Sequence, residues 1–289
     1  MIVAAIHPLV FGLLCGLAVA CFAVVCRALM VRGADPWAVA WVSLVAGGLW
    51  IVPFVDLTGD IARAEWSVVT VVAFVAAQIA WAVTVFFDAR AYSDLSASIN
   101  ALLSLFRLVL LVVVGIFAFG EAISVLGLLG VLGVVGGIGV GVERREIHAV
   151  RGARDRAIAV VAGATAISLD KFLTARLPLD LVLVAGFFLP ALLLMVVRSD
   201  VLARARADVR RLPGLYLGAA VLNALAGWAL VYGFAFGDLW TTSALRHAEV
   251  VFTFLLAVCF LGERERWVRR GVGAIICVGG AALVAAAHG

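Results

Sequence analysis

The sequence predicts an all-α membrane protein with ten transmembrane helices, built as two inverted five-helix repeats. Three observations carry this expectation. Apolar residues make up 65% of the 289 and charged residues only 14%, too little polar material to clothe a water-soluble surface. The apolar residues gather into ten largely uncharged runs of about 20 residues, the length a bilayer demands. The order of features along the first five runs then recurs in the last five.

In the first half, runs lie at 9–30, 36–55, 67–87, 95–119 and 122–142. A polar stretch rich in arginine follows, from Glu143 to Arg156. The second half has runs at 157–176, 179–197, 213–236, 239–261 and 267–287. None alternates polar and apolar residues over a short stretch, so β-barrel strands are excluded. The expected organisation is a first repeat at 1–142, a basic cytoplasmic linker at 143–156 and a second repeat at 157–289. No Lys or Arg precedes the first run, which argues against a cleaved signal peptide.

Arginine supplies nearly all of the positive charge, and Lys171 is the only lysine. Three stretches hold most of it: Arg144 to Arg156, Arg198 to Arg211, and Arg264 to Arg270. They follow runs five, seven and nine, so ten crossings put them on one face. The excess of arginine makes that face cytoplasmic. Both termini and the 56–66 loop then face outward. If these arginines bind anionic headgroups, they still belong on that face.

The repeat has a fixed offset. Phe119-Gly120-Glu121 closes the fourth run and Leu261-Gly262-Glu263 closes the ninth, 142 residues later. At the same offset Arg107 corresponds to Glu249 and Gly137 to Gly279, and Arg27 corresponds to Lys171 with a slip of two. Five is odd, so the second half enters the membrane from the opposite face. Inverted repeats are typical of secondary transporters, whose sites lie near the midplane between the halves.

A long apolar helix, a Gly-Glu pair and a glycine-bearing helix thus occur twice. The stretches are Leu102 to Val140, ending FAFGEAISVLGLLGVLGVVGGIGV, and Ala244 to Val284, containing HAEVVFTFLLAVCFLGERERW. This pattern resembles the EamA-type branch of the drug/metabolite transporter superfamily. The resemblance extends to length and helix count over the whole chain, and it implies solute transport.

Ionisable residues deep in a span are costly and usually face a polar interior. Arg107 and Glu249 lie at mid-run in corresponding positions, so the pseudo-two-fold axis should bring them together. They are expected either to receive substrate or a proton, or to form a structural ion pair that fixes the halves. Arg246, three residues before Glu249, shares its helix face. His247 lies on another side and reads as a packed histidine. Asn100, Ser104 and Arg107 form one polar stripe, read as cavity lining or as interhelical hydrogen bonding. Lys171 is either a site residue or snorkels to the interface. Asp88 and Arg90, at the end of run three, read as interfacial. Gln78, Trp81, Asn223 and Tyr232, together with Trp228, can line a cavity or belong to an aromatic belt.

Gly127, Gly130, Gly133, Gly137 and Gly141 make one face of run five, suited to close helix packing. Glu121 and Glu263 read as structural acids at helix N-termini. The five cysteines lie in apolar runs without metal spacing and read as buried thiols.

No HExxH, GxSxG, P-loop or ligand cluster is present, so neither an enzyme nor a built-in ATPase is expected, and no cofactor. The expected function is a secondary transporter that moves a small metabolite or drug-like solute by alternating access, with proton coupling left open. One alternative is a flippase for an anionic, phosphate-bearing lipid. Another is a structural membrane subunit without transport. The expected partners are a small-molecule substrate, membrane lipids and, if coupled, protons. Nucleic acid is not expected. The chain should act as a monomer or homodimer, multi-pass in the bacterial cytoplasmic membrane.

Overall fold

A computed structural model describes residues 2–55, 64–120, 124–142, 150–236 and 245–286. Every extended element among them is helical, and no strand occurs among these residues. In chain order the helices are α1 (Ile2–Val31), α2 (Pro36–Ile51), α3 (Val68–Asp94), α4 (Ala97–Ser104), α5 (Phe106–Phe119), α6 (Val125–Gly141) and α7 (Val150–Thr174). They continue with α8 (Leu179–Val197), α9 (Val201–Arg211), α10 (Pro213–Phe236), α11 (Glu249–Leu256) and α12 (Trp267–Ala286). Among the described residues, eight stretches are long and apolar enough to cross a membrane: Val10–Val31, Pro36–Phe54, Val68–Asp94, Ala97–Ala118, Arg151–Thr174, Leu179–Val197, Pro213–Gly233 and Trp267–Val284. The expected fifth and ninth spans correspond to shorter apolar helices, Val125–Gly141 and Glu249–Leu261.

Local chemistry sets the helix starts. Asp35 accepts the Trp37 N–H at 2.8 Å just before Pro36, whose missing N–H costs nothing in a first turn. Ser67, Ser96 and Ser124 each accept the N–H three residues on, at the starts of α3, α4 and α6. Stops are set by Gly120 and Gly262, which take the left-handed conformation (φ 67° and 68°) that glycine alone adopts without strain.

Two expected helices are not continuous. The fourth run bends at Leu105 into α4 and α5, and the bend tightens so that the Leu108 N–H reaches the Leu105 carbonyl at 3.0 Å. The ninth run, described from Leu245, bends at His247 and Ala248, where the Val250 N–H reaches the His247 carbonyl at 3.2 Å. It closes with a π turn at Ala257–Leu261. Leu105 and His247 are 142 residues apart, as are Gly120 and Gly262.

Two stretches expected to be loops are helical. Helix α7 begins at Val150, so the last seven residues of the expected linker are helix, and Asp155 and Arg156 are buried. The second arginine stretch contains α9, which buries Val201 and Ala205 while most of its arginines stay in solvent. Residues 143–149, and Glu121, lie outside the described residues.

Hydrogen bonds define two ends of the bundle. At one, Asp208 of α9 accepts the Asp35 N–H at 2.7 Å, and Arg211 donates to the Gly33 carbonyl at 2.9 Å. At that end, too, the Glu263 carboxylate accepts from the Ala97 N–H at 3.0 Å and from the Ser98 hydroxyl at 3.1 Å. Glu263 therefore caps α4, where its charge meets the positive end of that helix, rather than a helix of its own segment. At the other end the Glu65 N–H reaches the Arg176 carbonyl at 3.3 Å.

The glycine face of α6 packs as expected, and its partner is α12. A Cβ added at Gly280 would lie 2.5 Å from the Gly130 carbonyl oxygen, and one at Gly137 would lie 2.7 Å from the Gly273 carbonyl. Only glycine permits this separation of backbones. Outward-facing apolar side chains such as Phe117, Val125 and Val196 stay exposed, as suits a lipid surround.

Candidate functional site

A cavity of about 90 Å³ lies between α1, α2, α3, α7, α10 and the two bent segments. Its charged lining is Asp88, Arg107, Arg156, Arg246 and Glu249, with Trp81, Asn223 and the apolar Val19 and Phe22 completing much of the wall. A second cavity of about 110 Å³ shares Val19, Trp81, Val85, Asn223, Ala226 and Arg246 with it, and adds Asp170 and Phe187. The two cavities adjoin across these shared wall residues.

Each charged group arrives from a different local device. Arg107 sits in the first turn of α5, just past the bend at Leu105. Its guanidinium lies against Gly163 of α7, where an added Cβ would come within 2.7 Å of its Cζ. Arg246 and Glu249 flank the second bend. Helix α1 presses onto this bend at Gly16, where a Cβ would meet the Arg246 carbonyl oxygen at 2.6 Å. Asp88 comes from the last two turns of α3 and Arg156 from the second turn of α7.

The ionic contacts link neighbours rather than the expected pair. Glu249 accepts the Ser104 hydroxyl at 2.9 Å, and its other oxygen stands 3.6 Å from Arg246 Nε. Arg107 Nη2 is 3.9 Å from Asp88, and Asp88 also accepts a hydrogen bond from Arg156 Nη1. Arg107 and Glu249 thus line one cavity without a direct ion pair, because Asp88 and Arg246 stand closer to them. Arg107, Arg156, Arg246 and Glu249 are all at most 7% exposed. Each keeps at least one polar atom without a hydrogen-bond partner: Arg107 Nε, Arg156 Nε, Arg246 Nε and Glu249 Oε2.

Of the other expected site residues, Trp81 donates its indole N–H to Asp170 at 2.7 Å and forms a wall between the compartments. Asn223 lines both and donates to the Ser43 carbonyl at 3.1 Å. Ser104 touches the site through Glu249. Asn100 and Gln78 are buried outside the cavity walls, with their amide atoms unpartnered, so the polar stripe of the fourth run does not line the cavity as a whole. Tyr232 donates to Asp180 at 2.7 Å in a depression at the Arg176 end, remote from the ion cluster. Lys171 is half-buried and lines neither compartment. His247 is fully buried and lines neither, in keeping with a packed histidine.

Two residues of the cluster were read otherwise from sequence. Asp88 was expected at the interface and Arg156 in the cytoplasmic linker. Arg156 is buried and Asp88 half-buried in the cavity wall, because α3 and α7 extend several residues beyond the uncharged stretches. One signal was available: no Gly or Pro interrupts the chain from Val68 to Asp94, so nothing ends the helix at residue 87. Arg90 of the same turns pairs with buried Asp155 at 3.1 Å.

No protein-family model and no curated relative matches the chain. Solved structures do resemble it in fold. A crystal structure described only as that of a protein aligns with a TM-score of 0.65 over 94% of this chain and 95% of that one, at 18% identity. The likeness concerns architecture alone. Among the described residues the chain is all helical, with eight helices long and apolar enough to cross a membrane, and it folds like a protein of known structure around an ionic cavity.

Proposed function

We propose that this chain is a secondary transporter that moves a small metabolite or drug-like solute by alternating access. It would cross the membrane ten times as two inverted five-helix repeats. The observation that carries the reading is the interior cavity, walled by five charged side chains from both halves of the chain, deep within apolar helices. Buried charge of this density is expensive in a bilayer and is retained where it handles a solute or an ion. The repeat is supported by the bends at Leu105 and His247 and by the left-handed glycines, all at one offset. Bent helices at the interface between repeats are where transporter sites form. The two short apolar helices would complete the ten crossings, with the arginine-bearing end cytoplasmic and both termini outside. No ATP site is needed, since a gradient supplies the energy.

Purified protein in liposomes tests the reading. Saturable flux of a solute, inhibited by an excess of unlabelled solute, supports it. Movement of labelled phospholipid without solute flux would overturn it in favour of a flippase for an anionic lipid. One feature favours that second reading: an apolar groove of about 370 Å³ between α5 and α7 has Arg156 in its wall, beside Phe106 and Val161. Arg156 also lines the central cavity, so an acyl chain in the groove would have a cation near its headgroup.

A further inference from the structure

The central cavity is not neutral. Three guanidinium groups line it, from Arg107, Arg156 and Arg246, against two carboxylates, from Asp88 and Glu249. Within this compartment alone one positive charge is in excess, although Arg246 also lines the adjoining compartment, where Asp170 lies. Other buried ions near this end do not cancel it, since Asp155 pairs with Arg90 at 3.1 Å. Glu263 is occupied with the start of α4 and with Arg27 at 3.6 Å. Asp170 lines the adjoining compartment instead, held by the Trp81 indole at 2.7 Å. An uncompensated charge in a desolvated interior costs several kcal/mol, so an arrangement that keeps one implies a missing counter-charge.

From this we infer that the cavity takes a small organic monoanion, and that the solute's own charge completes the cluster. The inference rests on the transport reading and names its substrate class. The cluster offers an anion the right chemistry. Arg107 has no hydrogen-bonded carboxylate, its nearest being Asp88 at 3.9 Å. Arg246 stands 3.6 Å from Glu249, so this pair too is an ion contact beyond hydrogen-bond length. Guanidinium forks left without close partners suit a carboxylate or phosphate group. The rest of the wall is apolar or aromatic, from Val19, Phe22, Val85 and Trp81, which fits a hydrophobic body on the anion. Asp88 and Glu249 limit the charge accepted, because a second negative charge would be left unmatched.

Calorimetry on the full chain in nanodiscs tests this with probes on one skeleton: phenylpropionate (monoanion), benzylmalonate (dianion), phenylpropanamide (neutral), phenylpropylamine (cation) and phenylalanine (zwitterion). Phenylpropionate should bind more tightly than each of the others, and Arg107→Gln should weaken it by roughly 30-fold. Asp88→Asn provides the check that misfolding cannot imitate. It raises the excess to two charges, so the preference should swing from phenylpropionate to benzylmalonate. Tighter binding of the amide or the amine by the unaltered protein would overturn the inference. So would a preference for phenylalanine, which would bring Asp170 into the site as an amine acceptor. A phosphatidylglycerol headgroup also carries a single negative charge. Binding of short-chain dihexanoylphosphatidylglycerol with none of phenylpropionate would overturn the solute form. Phenylpropionate binding without flux in liposomes would sink the transport reading while leaving the anion site intact. Flux of a cation without phenylpropionate binding would do the reverse.

Discussion

The ionic contacts dictate which substitutions should rescue one another. Glu249 and Arg246 stand 3.6 Å apart and are both buried, with Ser104 as a further donor at 2.9 Å. At an effective dielectric of about 20, two unit charges at that separation attract by about 5 kcal/mol. Desolvation offsets part of this, and measured couplings of close buried pairs span about 1.5–7 kcal/mol. A double-mutant cycle of Arg246→Gln and Glu249→Gln should therefore return a coupling of about 3 kcal/mol. Each single variant strands a charge and should lose stability, roughly 5–10 °C of melting temperature in detergent. The double variant should recover most of it, yet stay inactive in flux if the pair handles solute. The same cycle on Arg107 and Glu249 should give less than about 1 kcal/mol, because Asp88 and Arg246 intervene. A strong Arg107–Glu249 coupling together with none between Arg246 and Glu249 would refute the site geometry. Restored flux in the Arg246/Glu249 double variant would leave that pair structural only.

Four further outcomes follow from the structure. Gly280→Ala drives a Cβ to within 2.5 Å of the Gly130 carbonyl and should cost about 1–3 kcal/mol by thermal unfolding. Gly279→Ala, with nothing within 4 Å, should be neutral or stabilising in the same assay. Gly163→Ala presses on the Arg107 guanidinium, the movable end of a side chain, so liposome flux should fall on the order of tenfold while the melting temperature barely changes. Asp200 accepts from Arg204 at 2.7 Å and from Arg198 at 2.8 Å, which holds its carboxyl below the ordinary 3.8. A depressed carboxyl stabilises the fold above its unfolded value and stops doing so as pH falls through the folded one. Asp200→Asn should thus melt slightly below the unaltered protein at neutral pH, and the gap should close as pH drops below 3.8.

Much of this architecture is legible in the chain, because lipid demands long apolar stretches and those stretches stand out. The glycine face of α6 follows from spacing alone, since close backbone approach needs residues without Cβ on one side. Arg107, Arg246 and Glu249 declare themselves as charges within apolar runs. The bends at Leu105 and His247 do not, because neither has a Pro or Gly to mark it. Asp88 and Arg156 were hidden for another reason. Charge near the end of an apolar run is normally interfacial, and only the tertiary fold shows α3 and α7 carrying theirs inward. Asn100 and Gln78 illustrate the converse: a polar residue in a span need not face the cavity, and side-chain direction is set by how each helix is rotated against its neighbours.

Alternating access requires that one cavity serve both faces of the membrane in turn. A single cysteine in place of Thr84, a buried residue of the cavity wall on α3, reads this directly. All five native cysteines would first be replaced, since Cys15 and Cys26 line the two compartments and Cys259 is exposed. A membrane-impermeant maleimide should modify the Thr84→Cys protein when applied from either side of sealed vesicles, and phenylpropionate should slow both reactions. Modification from one side only, or from neither, would contradict alternating access through this cavity.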